Sequence, residues 1–112
     1  MIKVAYEEDR DKRECVLRLN GHAGQADVGQ DLICASASIL AYTMAQIVKD
    51  MELHEQLAKP PTVKLESGDA TIRCQAKDDK SYEEMLHSFY VVNVGYAVLA
   101  HNYPQFVEAE KP

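Results

Sequence analysis

The sequence predicts an α+β fold, in which an antiparallel-rich sheet packs against two helices in the order ββαββα. Two observations predict it. Short apolar stretches of alternating polarity occur in two pairs, and each pair is followed by a long segment with helical periodicity. The length of 112 residues, with 46% hydrophobic and 27% charged residues, is typical of one globular domain, 1–112, with a single core.

Each pair of stretches is predicted to form a β-hairpin. A charged turn separates the first two strands, and the turn Ser67-Gly68-Asp69 separates the next two. A tail over residues 106–108 could add a short edge strand. The alternating positions that we expect to face the core are Ile2, Val4, Tyr6, Cys15, Leu17, Leu19, Val63, Leu65, Ile72, Cys74 and Ala76.

The helices are predicted over residues 31–56 and 81–103. Asp31 is a good N-cap for the first helix, and two prolines follow that helix. Ser81 and Glu84 have the spacing of a capping box. The residues expected in the core are Ile33, Ala37, Leu40, Met44, Ile47 and Met51 in the first helix and Met85, Phe89, Val92, Tyr96, Leu99 and Tyr103 in the second.

The second helix has a further apolar side, which carries Val91, Val94 and Val98. A helix that is apolar around much of its surface is usually buried on two sides. We therefore expect the sheet to cover one side, and the first helix or a second subunit to cover the other.

The segment that joins the first hairpin to the first helix contains a candidate catalytic pair. Eight residues, 23–30, separate His22 from Asp31, and Cys34 follows three residues later. A thiol becomes a nucleophile as a thiolate, which a helix N-terminus and a nearby imidazolium both favour. Gly21 allows a sharp exit from the strand, and a flexible connector could bring the imidazole to the sulfur.

Simpler interpretations of these residues exist. A lone cysteine on an apolar helix is usually a small buried hydrophobe, and a lone histidine near a turn is usually a surface residue. Ser38, one turn after Cys34, shares with it a narrow face of small residues that could admit a substrate segment or simply pack tightly. A structural zinc site requires four ligands, so we predict no metal and no cofactor.

The same residues carry a family resemblance. The run Gly21-His22-Ala23, followed by Gly29, Asp31, Cys34, Ala35 and Ser38, resembles the signature of the ribosomal-processing cysteine protease family Prp. Members of that family remove an N-terminal extension from the twenty-seventh large-subunit ribosomal protein, next to a pair of phenylalanines. The resemblance implies that Cys34 is the nucleophile and His22 the base, with Asp31 and Ser38 beside them. It also implies a homodimer.

The connector resembles the family pattern less closely. The family implies an aromatic residue before the connector glycine, where this chain has Val28. That departure concerns the grip on the substrate and leaves the reacting residues in place. The connector is also expected to act as a mobile gate that orders on substrate binding, with Ala23, Gly24, Val28 and Gly29 as its residues.

Charge and cysteine count restrict the partners and the compartment. The net charge of −6 argues against sequence-independent nucleic-acid binding, which depends on basic side chains. Three cysteines without a C-x-x-C pair indicate free thiols in a reducing compartment. The apolar run over residues 89–100 is too short to cross a bilayer, and residues 1–10 lack the apolar core of a signal peptide. We therefore predict a cytoplasmic protein without membrane contact.

These observations favour a small cysteine endopeptidase that acts on the N-terminal extension of a basic ribosomal protein. Cys34 would attack a peptide carbonyl, and His22 would take and return the proton. Backbone N–H groups at the start of the first helix are the expected oxyanion donors. Two alternatives remain open at this point: a thiol redox or peroxide-sensing protein in which Cys34 is oxidised, and a ribosome-associated binding module whose His–Cys pair is not catalytic.

Overall fold

The protein has an α+β fold with two layers, a five-stranded mixed sheet and two helices on one of its faces. We describe residues 1–23 and 28–109 of a computed structural model, and for residues 28–31 the backbone only. The elements follow the predicted order ββαββα, with one more strand at the end. They are β1 (Ile2–Asp9), β2 (Glu14–Asn20), α1 (Val28–Leu53), β3 (Thr62–Glu66), β4 (Asp69–Gln75), α2 (Asp79–Asn102) and β5 (Val107–Ala109).

The strand order in the sheet is β3-β4-β2-β1-β5. The two hairpins are therefore joined side by side along β2 and β4, which pair antiparallel from Asn20 opposite Asp69 to Glu14 opposite Gln75. The predicted edge strand exists, one residue further along than expected, and it pairs parallel with β1. All other pairings are antiparallel, as the sequence predicts.

Alternating side chains of β1, β2 and β4 form the floor of the core, whereas Leu65 of β3, which was also expected there, is 37% exposed because β3 is an edge strand. The side chains at Cys15 and Leu17 of β2 and at Ile72 and Cys74 of β4 are buried beneath the helices, as their alternation predicts. Eight predicted helix positions are buried, namely Ile33, Ala37, Met44, Met51, Met85, Phe89, Val92 and Tyr96. Tyr103 differs from the prediction, because it is the C-cap residue of α2 and is 44% exposed.

A buried hydrogen bond holds the two helices together. The hydroxyl of Tyr96 on α2 donates to the carbonyl oxygen of Ala37 on α1 over 2.9 Å. A buried phenol requires such a partner, since an unsatisfied polar group in the core is costly. The contact fixes α1 near its middle, one turn beyond Cys34.

The start of α1 corrects the sequence-based prediction. We expected the helix to begin after an Asp31 N-cap, but it begins at Val28, so Asp31 lies at the fourth helical position. Gly29 resembles part of a loop in the sequence, yet a glycine is tolerated in a helix at a cost of about 1 kcal/mol. At its C-terminal end, in contrast, α1 stops at Leu53, three residues earlier than predicted. Glu55 just beyond it adopts a left-handed conformation with a φ of 57°, which ends the helix.

The cap of α2 is a second correction. Asp78 caps this helix, and its carboxylate accepts a hydrogen bond from the backbone N–H of Ser81 over 2.8 Å. That bond holds the pKa of Asp78 below its usual value. The predicted capping-box residue Glu84 instead accepts from the side chain of Gln56. Asp78 lies three residues before the predicted cap Ser81 and provides the same N-cap chemistry, so the helix begins nearer the N-terminus than predicted.

By length and composition alone, residues 32–53 of α1 could cross a membrane. This is weak support for a membrane span, because the core helix of a soluble protein has the same composition. In this fold Met44, Val48 and Met51 of that segment are buried in the hydrophobic core. The apolar side chains of these three residues are therefore accounted for by their packing in the core.

The stability of the fold should decrease in alkaline solution. Burial raises the pKa of Cys15 from 9.0 to about 11, and it raises the pKa of Cys74 as well. Well below pH 9, both thiols are neutral in the folded and in the unfolded chain, so the full stability is present. As the pH rises from about 9 to about 11, the unfolded chain loses the proton first and unfolding becomes more favourable. Thermal unfolding midpoints between pH 8 and pH 10.5 measure this effect.

The matched control for that experiment is Cys15→Ala. This variant lacks one of the two buried thiols, so its midpoint should decline less steeply with pH than that of the unmodified protein. Parallel curves for the two proteins would contradict the assignment of the alkaline effect to Cys15.

Candidate active site

His22 and Cys34 line one cleft at the end of the molecule where β2 leads into α1. The cleft has a volume of about 280 Å³. His22 lies two residues beyond the end of β2 and is exposed to solvent, whereas Cys34 on α1 is half-buried. The walls of the cleft are Ile2, Leu19, Gly21, His22, Cys34, Ala37, Ser38, Ala41, Tyr42, Leu65, Glu66, Ser67, Gly68, Asp69 and Ala70.

Gly21 gives the chain its sharp exit from β2, as the sequence suggests. Its φ is +96°, a conformation that side chains disfavour, and a Cβ there would collide with the backbone carbonyl oxygen of Met1. The turn places His22 on the same side of the sheet as α1. No hydrogen bond joins the His22 ring to Cys34 Sγ in the described structure, and such catalytic contacts are often formed only with substrate bound.

Cys34 lies further along α1 than expected, since an N-cap at Asp31 would have placed it in the first turn of the helix. Because α1 begins at Val28, Cys34 is its seventh residue and lies in the second turn. The dipole of a helix acts mainly within its first turn, and only the first four N–H groups lack partners within the helix. Among the described residues, His22 is therefore the principal group that could activate the thiol. The backbone N–H of Cys34 lies beyond the first four of the helix, so it is not free to act as an oxyanion donor.

Ser38 lies where its spacing predicts, one turn beyond Cys34 and in the wall of the same cleft. The structure describes only part of the other predicted supporting and gate residues. Asp31 lies in α1, where the structure describes its backbone only. Of the residues predicted to form a gate, Gly24 lies outside the described residues, whereas Val28 and Gly29 belong to α1. Ala23 is 4% exposed and packs in the core, so it anchors the start of the connector.

The far wall of the cleft was not predicted from the sequence. It consists of the turn between β3 and β4 with its flanking residues, from Leu65 to Ala70. The sequence predicts this turn but contains no signal that puts it beside His22. That proximity follows from the pairing of β2 with β4, which brings together residues almost fifty positions apart in the chain.

The other two cysteines lie outside the cleft. Cys15 and Cys74 face each other across β2 and β4, and both are buried. Among residues 1–23 and 28–109, no group of three or more His, Cys, Asp or Glu side chains is arranged to hold a metal ion.

A comparison with protein families identifies the kind of chemistry. The family model described as "Cysteine protease Prp" matches residues 1–108. The chain belongs to the cysteine protease Prp family. No curated protein sequence matches it significantly.

Solved structures with the Prp fold agree with this membership. An essential ribosomal processing protease Prp from S. aureus, in complex with a covalently linked product peptide, is 18% identical, with 98% of each chain covered and a TM-score of 0.67. The same protease with a substrate peptide is 14% identical, with the same coverage and a TM-score of 0.69. The protein SMU.848 from Streptococcus mutans is 25% identical over 98% of this chain and 92% of its own, with a TM-score of 0.68.

As a cysteine protease of the Prp family, the chain requires one reactive thiol, and we expect this to be Cys34. Cys34 is half-buried in an open cleft, whereas burial raises the pKa of Cys15 to about 11 and raises that of Cys74 too. Reaction with iodoacetamide requires an accessible thiolate. Brief labelling of the native protein at pH 7.5 should therefore modify Cys34 first, as peptide mass spectrometry would show. Equal labelling rates at the three thiols would refute this assignment.

Proposed function

We propose that this protease removes the N-terminal extension of a large-subunit ribosomal protein, the twenty-seventh, with Cys34 as nucleophile and His22 as base. The observation that carries the proposal is that these two side chains, from separate elements, line one open cleft in a chain of the Prp family. The S. aureus relatives are described as ribosomal processing proteases bound to peptides, which supports the choice of substrate.

The proposed reaction has two stages. The Sγ of Cys34, after losing its proton to His22, attacks the carbonyl carbon of the scissile peptide. The C–N bond then breaks, and His22 returns the proton to the leaving amine, so that a thioester remains on Cys34. In the second stage His22 takes a proton from water, and the hydroxide attacks the thioester. The C–S bond then breaks, the carboxyl-terminated extension leaves, and His22 returns its proton to the sulfur, which restores the thiol.

The lining of the cleft suits a bulky apolar side chain next to the cut site. Seven of its residues have apolar side chains, namely Ile2, Leu19, Ala37, Ala41, Tyr42, Leu65 and Ala70. Tyr42 is 55% exposed and Leu65 is 37% exposed, so both have apolar surface to bury against a ligand. Burial of such surface contributes about 25 cal/mol per Å². A pair of phenylalanines beside the cleaved bond therefore fits this cleft.

The charge of the cleft agrees with a basic substrate. Glu66 and Asp69 lie in its wall, and the whole chain carries a net charge of −6. Lys64 Nζ lies 2.7 Å from the carboxylate of Asp69 and 3.9 Å from that of Glu66, so Glu66 is the less tightly paired of the two carboxylates. An acidic surface favours the approach of a basic ribosomal protein.

A thiol redox function fits the structure less well. An oxidised Cys34 would need a resolving cysteine, but Cys15 is 0% exposed and Cys74 is 2% exposed. Neither thiol lines the cleft that contains Cys34.

Intact-mass spectrometry after incubation with a peptide tests the proposed function. The peptide should span the end of the ribosomal extension with its two phenylalanines, and a peptide with alanines at both positions is the control substrate. Cleavage of the first peptide alone supports the proposal. Oxygen addition to Cys34 without cleavage would support a redox protein, and binding without any change of mass would support a non-catalytic module.

We also propose that the protein acts as a homodimer in the cytoplasm. The side of α2 that carries Tyr90, Val91, Val94 and Val98 is exposed in the single chain, with exposed fractions of 40–56%. A contiguous apolar helix face of this kind is typical of a subunit interface. The three free thiols support a reducing compartment. Sedimentation should give the mass of two chains, and Val94→Lys should give the mass of one.

A further inference from the structure

The turn between β3 and β4 directly contacts the imidazole of His22. We propose that Gly68, in that turn, is a positioning residue that holds the His22 ring in the cleft; this inference rests on the role of His22 proposed above. The three heavy atoms that a Cβ at position 68 would approach most closely all belong to the His22 ring. The ring therefore occupies the space that the side chain of any other residue would require.

The distances make this contact specific. A Cβ at position 68 would lie 2.7 Å from His22 Cε1, 3.2 Å from Cδ2, and closer still to Nε2. Separations under 3.0 Å are essentially never observed for a real Cβ, so the ring would have to move. Only a glycine lets the imidazole lie this close to the backbone of the turn.

The backbone conformation of Gly68 serves the same arrangement. Its φ is +73°, a region that glycine adopts freely. In this conformation its carbonyl oxygen accepts a hydrogen bond from the N–H of Gly21 over 2.9 Å. Since Gly21 immediately precedes His22, one residue of the turn both anchors the backbone beside His22 and supports its ring.

The turn itself is held in place by two further contacts. Asp69, the residue after Gly68, is the first residue of β4 and pairs with Asn20 at the end of β2. The carboxylate of Asp69 also binds the Nζ of Lys64 on β3 over 2.7 Å. The turn and the end of β2 therefore form one rigid unit, and the His22 ring rests on it.

Such support matters because His22 is exposed to solvent. A general base must lie within hydrogen-bond reach of the proton that it takes, and a displacement of about 1 Å can reduce the rate about 100-fold. The rest of the cleft lining would remain unchanged. A defect in positioning is therefore expected to reduce kcat and to leave KM nearly unchanged.

The first test measures peptide cleavage by Gly68→Ala and Gly68→Asn. Asparagine tolerates positive φ far better than alanine does, but both add the Cβ that the His22 ring excludes. We expect both variants to lose about 100-fold in kcat with KM changed less than about twofold. A nearly normal kcat for Gly68→Asn beside a low kcat for Gly68→Ala would overturn the proposal, since the cause would then be backbone strain.

A matched control is Gly95→Ala on α2. A Cβ there would also make a close contact, 2.8 Å from a methyl group of Leu40, but neither residue lines the cleft. Gly95→Ala should therefore keep its cleavage rate. A comparable loss of kcat in this variant would show that the activity responds to any added Cβ, and it would overturn the specific role of Gly68.

The second test is independent of catalysis. Thermal unfolding is compared for four proteins: the unmodified chain, Gly68→Ala, His22→Ala and the double variant. If the added Cβ collides with the imidazole, Gly68→Ala should lower the midpoint in the unmodified background and lower it much less when His22 is alanine. Equal decreases in both backgrounds would overturn the contact.

The two tests also separate this inference from the proposed function. If His22→Ala still cleaved peptide, the role of His22 as base would fail while the unfolding cycle still measured its contact with Gly68. If His22→Ala were inactive but Gly68→Ala and Gly68→Asn cleaved normally, the function would stand and the positioning role of Gly68 would be refuted.

Discussion

Replacement of either Cys34 or His22 by alanine is expected to abolish peptide cleavage, with a loss on the order of 10⁴-fold or more in kcat. The two residues act as a unit, because the thiol attacks only after the imidazole has taken its proton. The double variant should therefore be little worse than either single variant. Cys34→Ser should be nearly inactive as well, since a hydroxyl is far harder to ionise than a thiol.

Single-turnover cleavage assays with excess enzyme would measure these losses. Cys15→Ala is the matched control, since it removes a thiol that is buried outside the cleft, and it should retain activity. Circular dichroism would establish that each variant is folded. If the losses of the two single variants instead added up in the double variant, one of the residues would lie outside the nucleophile system.

The largest expected effect on stability comes from Phe89 on α2. Its side chain is fully buried, and its ring stacks on that of Tyr6 with a centroid distance of 5.5 Å. Phe89→Ala removes this contact and leaves a cavity between α2 and β1, which should reduce the free energy of unfolding by about 3–5 kcal/mol. Small domains are stable by only about 5–15 kcal/mol, so the variant should be close to unfolding at 37 °C.

Urea denaturation of Phe89→Ala measures that free energy. The control is His87→Ala, which removes an exposed ring from the same helix and should change stability by less than about 0.5 kcal/mol. A loss below about 1 kcal/mol for Phe89→Ala would contradict the central place of this ring in the core.

Local patterns were sufficient to predict most of the elements. The alternation at Ile2 and Val4 and at Ile72 and Cys74 identifies strands because one face of the sheet is buried and the other is not. The turn at Gly68 was predicted for a similarly local reason. The start of α1 was not, because Gly29 and Asp31 both resemble loop or cap residues, whereas the helix extends over them.

The site was predictable only in part. The segment from His22 to Cys34 suggested a catalytic pair, because both residues lie close together in the chain. The contact of His22 with Gly68 depends on which strands become neighbours in the sheet, and β2 and β4 are not consecutive. No local pattern encodes such a pairing, since each strand could satisfy its alternation beside several partners.

The pairing of β2 with β4 has a consequence for the protein during its synthesis. His22 and Cys34 both leave the ribosome early, with the first half of the chain. The wall that completes their cleft is translated about thirty residues after Cys34, which takes about 1.5–6 s at about 5–20 residues per second. Until β4 has emerged and paired, the nascent chain has a thiol and an imidazole without the turn that brings the imidazole to its place. The cleft is therefore complete only after β4 has been synthesised and has paired with β2.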